Sequence, residues 1–321
     1  MISTRDFTII IPCIKYEDVK ETLKKIRNLY KKVRIIVCLN SIRKKNIKQK
    51  NIKFIVTKTS SIAEKRNISV NQCKSKYIIF LDSDAYPNKN WIESTFKFFK
   101  KKKNCIIAGP HVDPPNQNEN QEIIGLIKKS FLITMKPEFQ KDNNKKAQYI
   151  SFIPSANWFL ERKFFNSLGQ MDPKLLRNED WDFVYRMKKK NYKLFYSPKT
   201  LVFHGNSTIK HFIKKRYIYG YHMWPILKQM NVENYYFFLP LLFALFLLSF
   251  PLGFVFKIYS TLYSAVLLLY FTVVFFETLR LCRKFKNFFK MLYVLISANI
   301  SPGFGILFGF FNFFSNGKNN K

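Results

Sequence analysis

Acidic side chains are scarce in this chain. Its 321 residues include 20 Asp and Glu against 55 Lys and Arg, a formal net charge of +35. So large an excess has three readings: phosphate of nucleic acid, anionic lipid at a membrane surface, or a composition rich in Lys, Asn, Ile and Phe. The lysines are scattered, as at Lys44-Lys45, 100–103, Lys145-Lys146 and 188–190, and no basic stripe carries interleaved stacking aromatics. Composition therefore ranks first and the membrane surface second, and no nucleic-acid partner is expected.

Cysteine is also sparse. Cys13, Cys38, Cys73, Cys105 and Cys282 form no Cys-x-x-Cys pair and are odd in number. A zinc site or a disulfide framework is not expected, and reduced thiols in a cytoplasmic domain fit better. No secretory leader is expected, since Phe7-Thr8-Ile9-Ile10-Ile11 is too short for one and ends at Pro12 without a small-residue cleavage site. The amino-terminal part is expected to remain in the cytoplasm. No internal repeat is visible.

What the first half does have is alternation. Apolar, strand-like runs occupy 7–11, 33–39, 52–56, 77–81 and 105–108. Between them Val19, Leu23, Ile26 and Leu29 fall close to helical spacing, Ser60 or Ser61 can cap a helix through Ile62, Ala63, Ile68 and Val70, and 91–99 is amphipathic. Strands alternating with helices predict right-handed βαβ units and a mostly parallel sheet, an α/β domain. The segment 110–146 is polar, with one apolar patch at 123–135 that predicts a helix over the sheet. Short strands at 194–196 and 201–203 end near His204.

One run stands apart: Tyr77-Ile78-Ile79-Phe80-Leu81-Asp82-Ser83-Asp84. A buried strand stops at two carboxylates one residue apart. Ligands of open α/β sheets bind beyond the carboxyl ends of the strands, and paired acids suit a hard cation such as Mg²⁺ or Mn²⁺. An Asp-Ser-Asp turn with no metal is the competing reading.

The second half is apolar. The stretch 235–256 has no charge and is long enough for hydrocarbon, which needs roughly 20 residues. A second span is predicted at 258–279, charged only at Glu277. The stretch 291–314, broken by Pro302, Gly303, Gly305 and Gly309, reads as a third span, a kinked one, or a re-entrant segment. Arg280, Arg283, Lys284, Lys286 and Lys290 follow the second span, so that loop is expected in the cytoplasm, with the amino-terminal domain on the same side.

Taken in order, Ile9-Ile10-Ile11-Pro12, Ala63-Glu64-Lys65-Arg66-Asn67, Phe80-Leu81-Asp82-Ser83-Asp84, Ala108-Gly109-Pro110, Gly169-Gln170-Met171-Asp172, Glu179-Asp180-Trp181-Asp182 and the stretch from Pro198 to His204 resemble the family 2 glycosyltransferases with the GT-A nucleotide-sugar fold. The resemblance covers roughly 7–220. It implies a nucleotide-sugar donor, by default a UDP-sugar, and a Mg or Mn divalent cation. It implies that Asp84 binds the cation, with Asp82 in the donor's ribose or metal shell. His204 sits where many relatives supply another ligand, or is an ordinary strand-end histidine. Donor contacts fall to Pro12, Cys13, Glu17, Asn40, Arg66, Asn67 and Ser83, with a surface role as the alternative for Arg66 and Asn67. Asp180, beside Glu179, matches the family's catalytic carboxylate, and a single displacement with inversion follows. Trp181 and Trp158 form an acceptor wall or pack in the core, and Arg216 lies near the acceptor.

The chain departs from the family in two places. The first strand runs into Cys13-Ile14-Lys15-Tyr16-Glu17, without the usual Asn-Glu. The second ends at Asn40-Ser41, where relatives usually carry an aspartate that reads the base. A Gln-x-x-Arg-Trp sequence, carried by processive relatives, is absent, which favours transfer of a single sugar. The predicted organisation is a cytoplasmic GT-A domain at 1–220, an interfacial linker at 221–234, a transmembrane region at 235–314 and a polar tail at 315–321. The predicted setting is the inner, cytoplasmic membrane, with a lipid-linked saccharide as acceptor. A polyprenyl-phosphate sugar synthase and a non-catalytic membrane scaffold are the alternatives.

Overall fold

The computed structural model describes residues 3–41, 49–99, 101–133, 146–229 and 238–316. Lys44-Lys45, Lys100, Lys145, the end of the 123–135 patch, most of the linker's second half and nearly all of the polar tail lie outside them. The chain divides into two compact units: 1–115 with 138–205, and 116–137 with 206–321.

The first unit is built on β1 (Phe7–Pro12), β2 (Arg34–Leu39), β3 (Ile52–Val56), β4 (Tyr77–Leu81), β5 (Ala85–Pro87), β6 (Cys105–Ala108), β7 (His111–Val112), β8 (Gln148–Ile150), β9 (Asn157–Glu161), β10 (Lys193–Tyr196) and β11 (Val202–His204). Eight strands form one sheet in the order β3-β2-β1-β4-β9-β6-β10-β8. Its pairs are parallel except around β9 and at the β8 edge. Residues 151–156, with Pro154 and Ser155, form the connection between β8 and β9. A small second sheet, β5-β11-β7, sets His204 opposite Ala85.

Both faces of the main sheet are covered, and the two-residue period of the strands decides which side chain goes where. Phe7, Ile9 and Ile11 of β1 and Tyr77, Ile79 and Leu81 of β4 pack with α1 (Lys20–Leu29) and α3 (Trp91–Phe99). Ile10, Ile78 and Phe80 point the other way, toward α2 (Ile62–Asn71), α5 (Arg162–Ser167) and α6 (Glu179–Lys189). Ser61 caps α2 by accepting from the Glu64 N–H at 3.3 Å. Each such buried side chain contributes about 1.5–3 kcal/mol.

The second unit begins with α4 (Glu119–Ile127), so the helix predicted to cover the sheet belongs instead with the C-terminal helices. Its apolar face, Ile123, Ile124 and Ile127, clusters with Phe212, Val274, Met291, Val294 and Leu295. After α5 (Arg162–Ser167) and α6 (Glu179–Lys189) of the first unit come α7 (Ile209–Tyr221), α8 (Trp224–Gln229), α9 (Leu239–Leu248), α10 (Lys257–Leu281) and α11 (Phe288–Asn316).

Among the described residues two helices are long and apolar enough to cross a membrane, Lys257–Leu281 and Phe285–Ser315. α10 has 25 residues, about 37 Å at 1.5 Å per residue, against roughly 30 Å of hydrocarbon. Ile258, Leu262, Leu268, Leu269 and Phe276 are exposed along it, which a buried helix of a soluble core would not show. The predicted first span, 235–256, is not one helix. Its described part is the 10-residue α9, about 15 Å long, and then a 3₁₀ turn, Phe250–Phe254. Pro251 has no N–H to extend α9, and Ser249 closes it by bonding back to Leu245 and Phe246.

The stretch 291–314, left open between three readings, is part of one continuous helix with Pro302 inside. Proline lacks the N–H that would bond the carbonyl four residues back. That carbonyl is Ala298 O, and Arg216 Nε donates to it at 2.5 Å. Small residues bring α7 and α11 close enough for this: a Cβ on Gly305 or Gly309 would lie 2.2 Å from the carbonyl oxygen of Tyr217 or Tyr221. Arg216→Met leaves the Ala298 carbonyl without its donor. It should lower the melting temperature in detergent by the equivalent of about 1–3 kcal/mol.

Candidate active site

The carboxyl ends of β1, β2 and β4 are neighbours in the sheet, and β2 runs into Asn40 and β4 into Asp82. Asp82 ends β4 half-buried, and the backbone turns at once, Ala85 N–H donating to Asp82 O at 3.1 Å. Asp84 is exposed. His204 reaches this turn because β11 lies along β5. Its Nε2 is 3.0 Å from Asp84 Oδ1 and 3.9 Å from Asp82 Oδ2. One ligand atom from each of the three lies within 4.8 Å of the others. Two carboxylate oxygens and one imidazole nitrogen are a donor set that suits Mg²⁺ or Mn²⁺, and three ligands leave room for oxygens from a bound molecule. The residues fit a divalent cation.

Arg66 links this triad to a second pair of acids. It is 2% exposed. Its Nη2 is 3.1 Å from Asp82 Oδ1, and its Nη1 is 2.9 Å from Glu179 Oε1 and 2.8 Å from Ser155 Oγ. Arg66 is therefore buried and not a surface residue. It holds two carboxylates of opposite elements in place. Asn67 is likewise occupied: its amide donates to Met171 O at 2.7 Å and accepts from Met171 N–H at 3.1 Å.

Glu179 and Asp180 open α6, after Asn178 in the left-handed region at φ 64°. The dipole of α6 favours both charges. Asp180 accepts from the Trp181 N–H at 2.9 Å and from the Ser155 N–H at 3.4 Å. Burial, and then the charge of Glu179, push its carboxyl up to about 7, while Arg66 and the two N–H groups pull the other way. Between the ordinary carboxylate range and about 7 the folded chain keeps a proton that the unfolded chain has released. This group alone thus makes stability fall as pH rises through that window.

The two tryptophans part company. Trp158 is fully buried and donates to Ile153 O at 3.1 Å, so it is core packing and not an acceptor wall. Trp181 is half-buried beside Asp180 and stacks on Phe152 at 3.7 Å. Arg216 belongs to the second unit, and its guanidinium meets the backbone oxygens of Ala298 and Ile133.

At the β1 and β2 ends, Pro12 and Cys13 are buried and Glu17 is exposed in a 3₁₀ turn. Burial pushes the Cys13 thiol up to about 12, so it stays protonated. The Ser83 carbonyl accepts from Thr22 Oγ1 at 2.6 Å. Two residues escaped the sequence reading. Ser155 lies in the connection before β9 and is met only through the fold. Lys65 stands beside Arg66 in α2, and the burial of two adjacent cations leaves no periodic signal.

The mostly parallel sheet and the acids at its carboxyl end make a fold of the GT-A type. The family described as glycosyl transferase family 2 matches residues 8–169, and the chain belongs to that family. The matched stretch includes Arg66, Asp82 and Asp84 but stops before Glu179, Asp180 and His204. A pre-mycofactocin glycosyltransferase of Mycobacterium tuberculosis is 26% identical over 159 residues, 49% of this chain and 33% of that protein. The chain thus spans about a third of the length of the curated relatives it matches. A mannosyltransferase from Pyrobaculum calidifontis, solved with GDP-Man and Mn²⁺, is 13% identical with a TM-score of 0.54, covering 92% of this chain and 86% of that one. TarS of S. aureus, solved with UDP-GlcNAc, is 12% identical with a TM-score of 0.43, covering 68% and 66%.

Arg66→Met would leave the buried Glu179 and the half-buried Asp82 without their cation. It should cost about 3 kcal/mol, read as a fall in the denaturant midpoint, and Arg66→Lys should recover little of it because one ammonium cannot fork between two acids.

Proposed function

We propose that this protein is an inverting glycosyltransferase. It moves a sugar from a nucleotide-diphosphate donor to a hydroxyl of a membrane-associated, lipid-linked saccharide. The observation that carries the reading is the join made by Arg66 between the Asp82, Asp84 and His204 cluster and the Glu179-Asp180 pair. It links a place for a leaving diphosphate with a carboxylate able to take a proton near neutral pH.

Asp180 serves as the base. The acceptor hydroxyl gives its proton to the Asp180 carboxylate as its oxygen attacks the anomeric carbon. The carbon–oxygen bond to the diphosphate breaks, and its electron pair leaves with the diphosphate. A single displacement inverts the anomeric configuration. Asp84, Asp82 and His204 would hold a Mg²⁺ or Mn²⁺ ion, which when bound supplies positive charge against the leaving group. Arg66 keeps Glu179 and Asp82 oriented, and Trp181 offers the acceptor an apolar face next to the base.

Several features support a membrane acceptor on the cytoplasmic face. α10 and α11 are long and apolar. Lys210, His211, Lys214 and Lys215 form an exposed basic face on α7, suited to anionic headgroups. Lys286, in the basic loop between α10 and α11, pairs with Glu119 of α4 at 2.7 Å. That loop therefore lies at the amino-terminal end of α4. Activity that is equal on a water-soluble saccharide and on its lipid-linked form would sink the acceptor assignment.

The donor is tested with purified protein by thermal shift over uridine and guanosine diphospho-sugars with Mn²⁺. One donor and Mn²⁺ together should raise the melting temperature, and Asp84→Ala should abolish the shift. Asp180→Asn should keep the shift and lose about 10²–10⁴ in kcat. The wild-type rate should rise with pH through about 7, since only the ionised Asp180 accepts a proton. A profile flat from pH 5 to 8 would remove Asp180 as the base.

A further inference from the structure

α2 buries two cations side by side, and the reading above uses only one. Lys65 is 2% exposed. Its ammonium donates to Cys13 O and to Asn40 Oδ1, each at 2.6 Å. Neither partner is a carboxylate, so among the described residues the ammonium is held by neutral oxygens, and burial pulls its pKa below the ordinary lysine range. A buried ammonium held in this way is costly, which calls for a reason to keep one here.

The reason lies in what Lys65 does to Asn40. The Asn40 amide nitrogen donates to Thr57 O at 3.1 Å and Thr59 O at 2.7 Å. Both of its protons are thus spent, and only one orientation of the amide is possible. The oxygen must face Lys65. The backbone around it is fixed as well: Asn40 N–H donates to Ile14 O at 3.0 Å, and Cys13 N–H to Cys38 O at 2.9 Å. Lys65 therefore pins the carboxyl ends of β1 and β2 together, in the region where open α/β sheets take their ligands. Asn40 is half-buried and so reachable. What it offers is one lone pair on Oδ1 and no donor, which suits an N–H on the edge of a nucleobase.

We propose that Lys65 is a positioning residue for the donor's nucleobase, fixing Asn40 Oδ1 to accept a base N–H. This rests on the nucleotide-donor reading above. It also accounts for the asparagine at the end of β2. A carboxylate there would set an oxygen against the Thr57 and Thr59 carbonyls, whereas the amide satisfies both and leaves its oxygen to Lys65 and the ligand.

The test is calorimetric binding of UDP, GDP and inorganic pyrophosphate, each with Mn²⁺, to the full chain in detergent. In Lys65→Met the tighter of the two nucleotides should bind about tenfold more weakly, and pyrophosphate, which has no base, should bind as in wild type. Donor KM should rise by a similar factor with kcat retained. In an Asn40→Ala background, adding Lys65→Met should change nucleotide affinity by less than about twofold, the mark of one residue acting through the other. Lys65→Gln keeps an N–H for Asn40 and should bind within about threefold of wild type, which keeps the test open if the methionine variant melts. Equal losses for nucleotide and pyrophosphate, additive losses in the double variant, or no loss would overturn the inference. A wild-type protein that binds neither nucleotide would overturn the donor reading itself and this inference with it.

Discussion

The guanidinium of Arg66 is the constraint on which the site depends. It comes from α2, on one face of the main sheet, and joins Asp82 at the end of β4 to Glu179 at the start of α6. Without a cation between them, Asp82, Glu179 and Asp180 would gather negative charge at one end of the sheet with nothing to offset it. Each charge in that cluster would then be a cost to folding. Arg66 bonds Glu179 directly beside Asp180, and the charge of Glu179 is part of what keeps the Asp180 proton on to about pH 7. The fork geometry of arginine matters, because two nitrogens meet two acids while Ser155 takes part of the remainder.

A comparable exchange organises the helical unit. Pro302 interrupts the hydrogen-bond ladder of α11 in an apolar setting, where an unpaired carbonyl is expensive. Arg216 repairs it from α7, and the glycines let α7 come close enough. Trp224 Nε1 adds a bond to Ile306 O at 2.7 Å, farther along the same side. A residue assigned to the acceptor on its charge and position in the sequence is thus accounted for by helix packing.

His204 shows how the metal cluster is assembled at long range. It is 120 residues from Asp84 in the chain. It arrives there because β11 pairs antiparallel with β5, a three-residue strand that starts directly after Asp84. The cluster is therefore a product of strand register. Shifting β11 by one residue would turn the histidine to the other face of the small sheet.

The sequence by itself determined β1 to β4, β6, β10, β11 and α1 to α3 of the sheet domain, the acids that end β4 and open α6, and the presence of long apolar helices. Those features are written in local periodicity, in the abrupt end of an apolar run at Asp82, and in the absence of charge over 20 or so residues. Only the tertiary structure decided which polar atoms were already spoken for. Arg66, Asn67, Trp158 and Arg216 all carried groups suited to a ligand, and each is bonded within the fold by a partner more than 80 residues away or, for Trp158, by a carbonyl in the loop before it. Periodicity cannot report such pairings, since it records which face a residue occupies and not what waits across from it. The same limit hid Lys65, the placement of α4 with the C-terminal helices, and the early end of α9, where Pro251 and the Ser249 cap outweighed an uncharged composition.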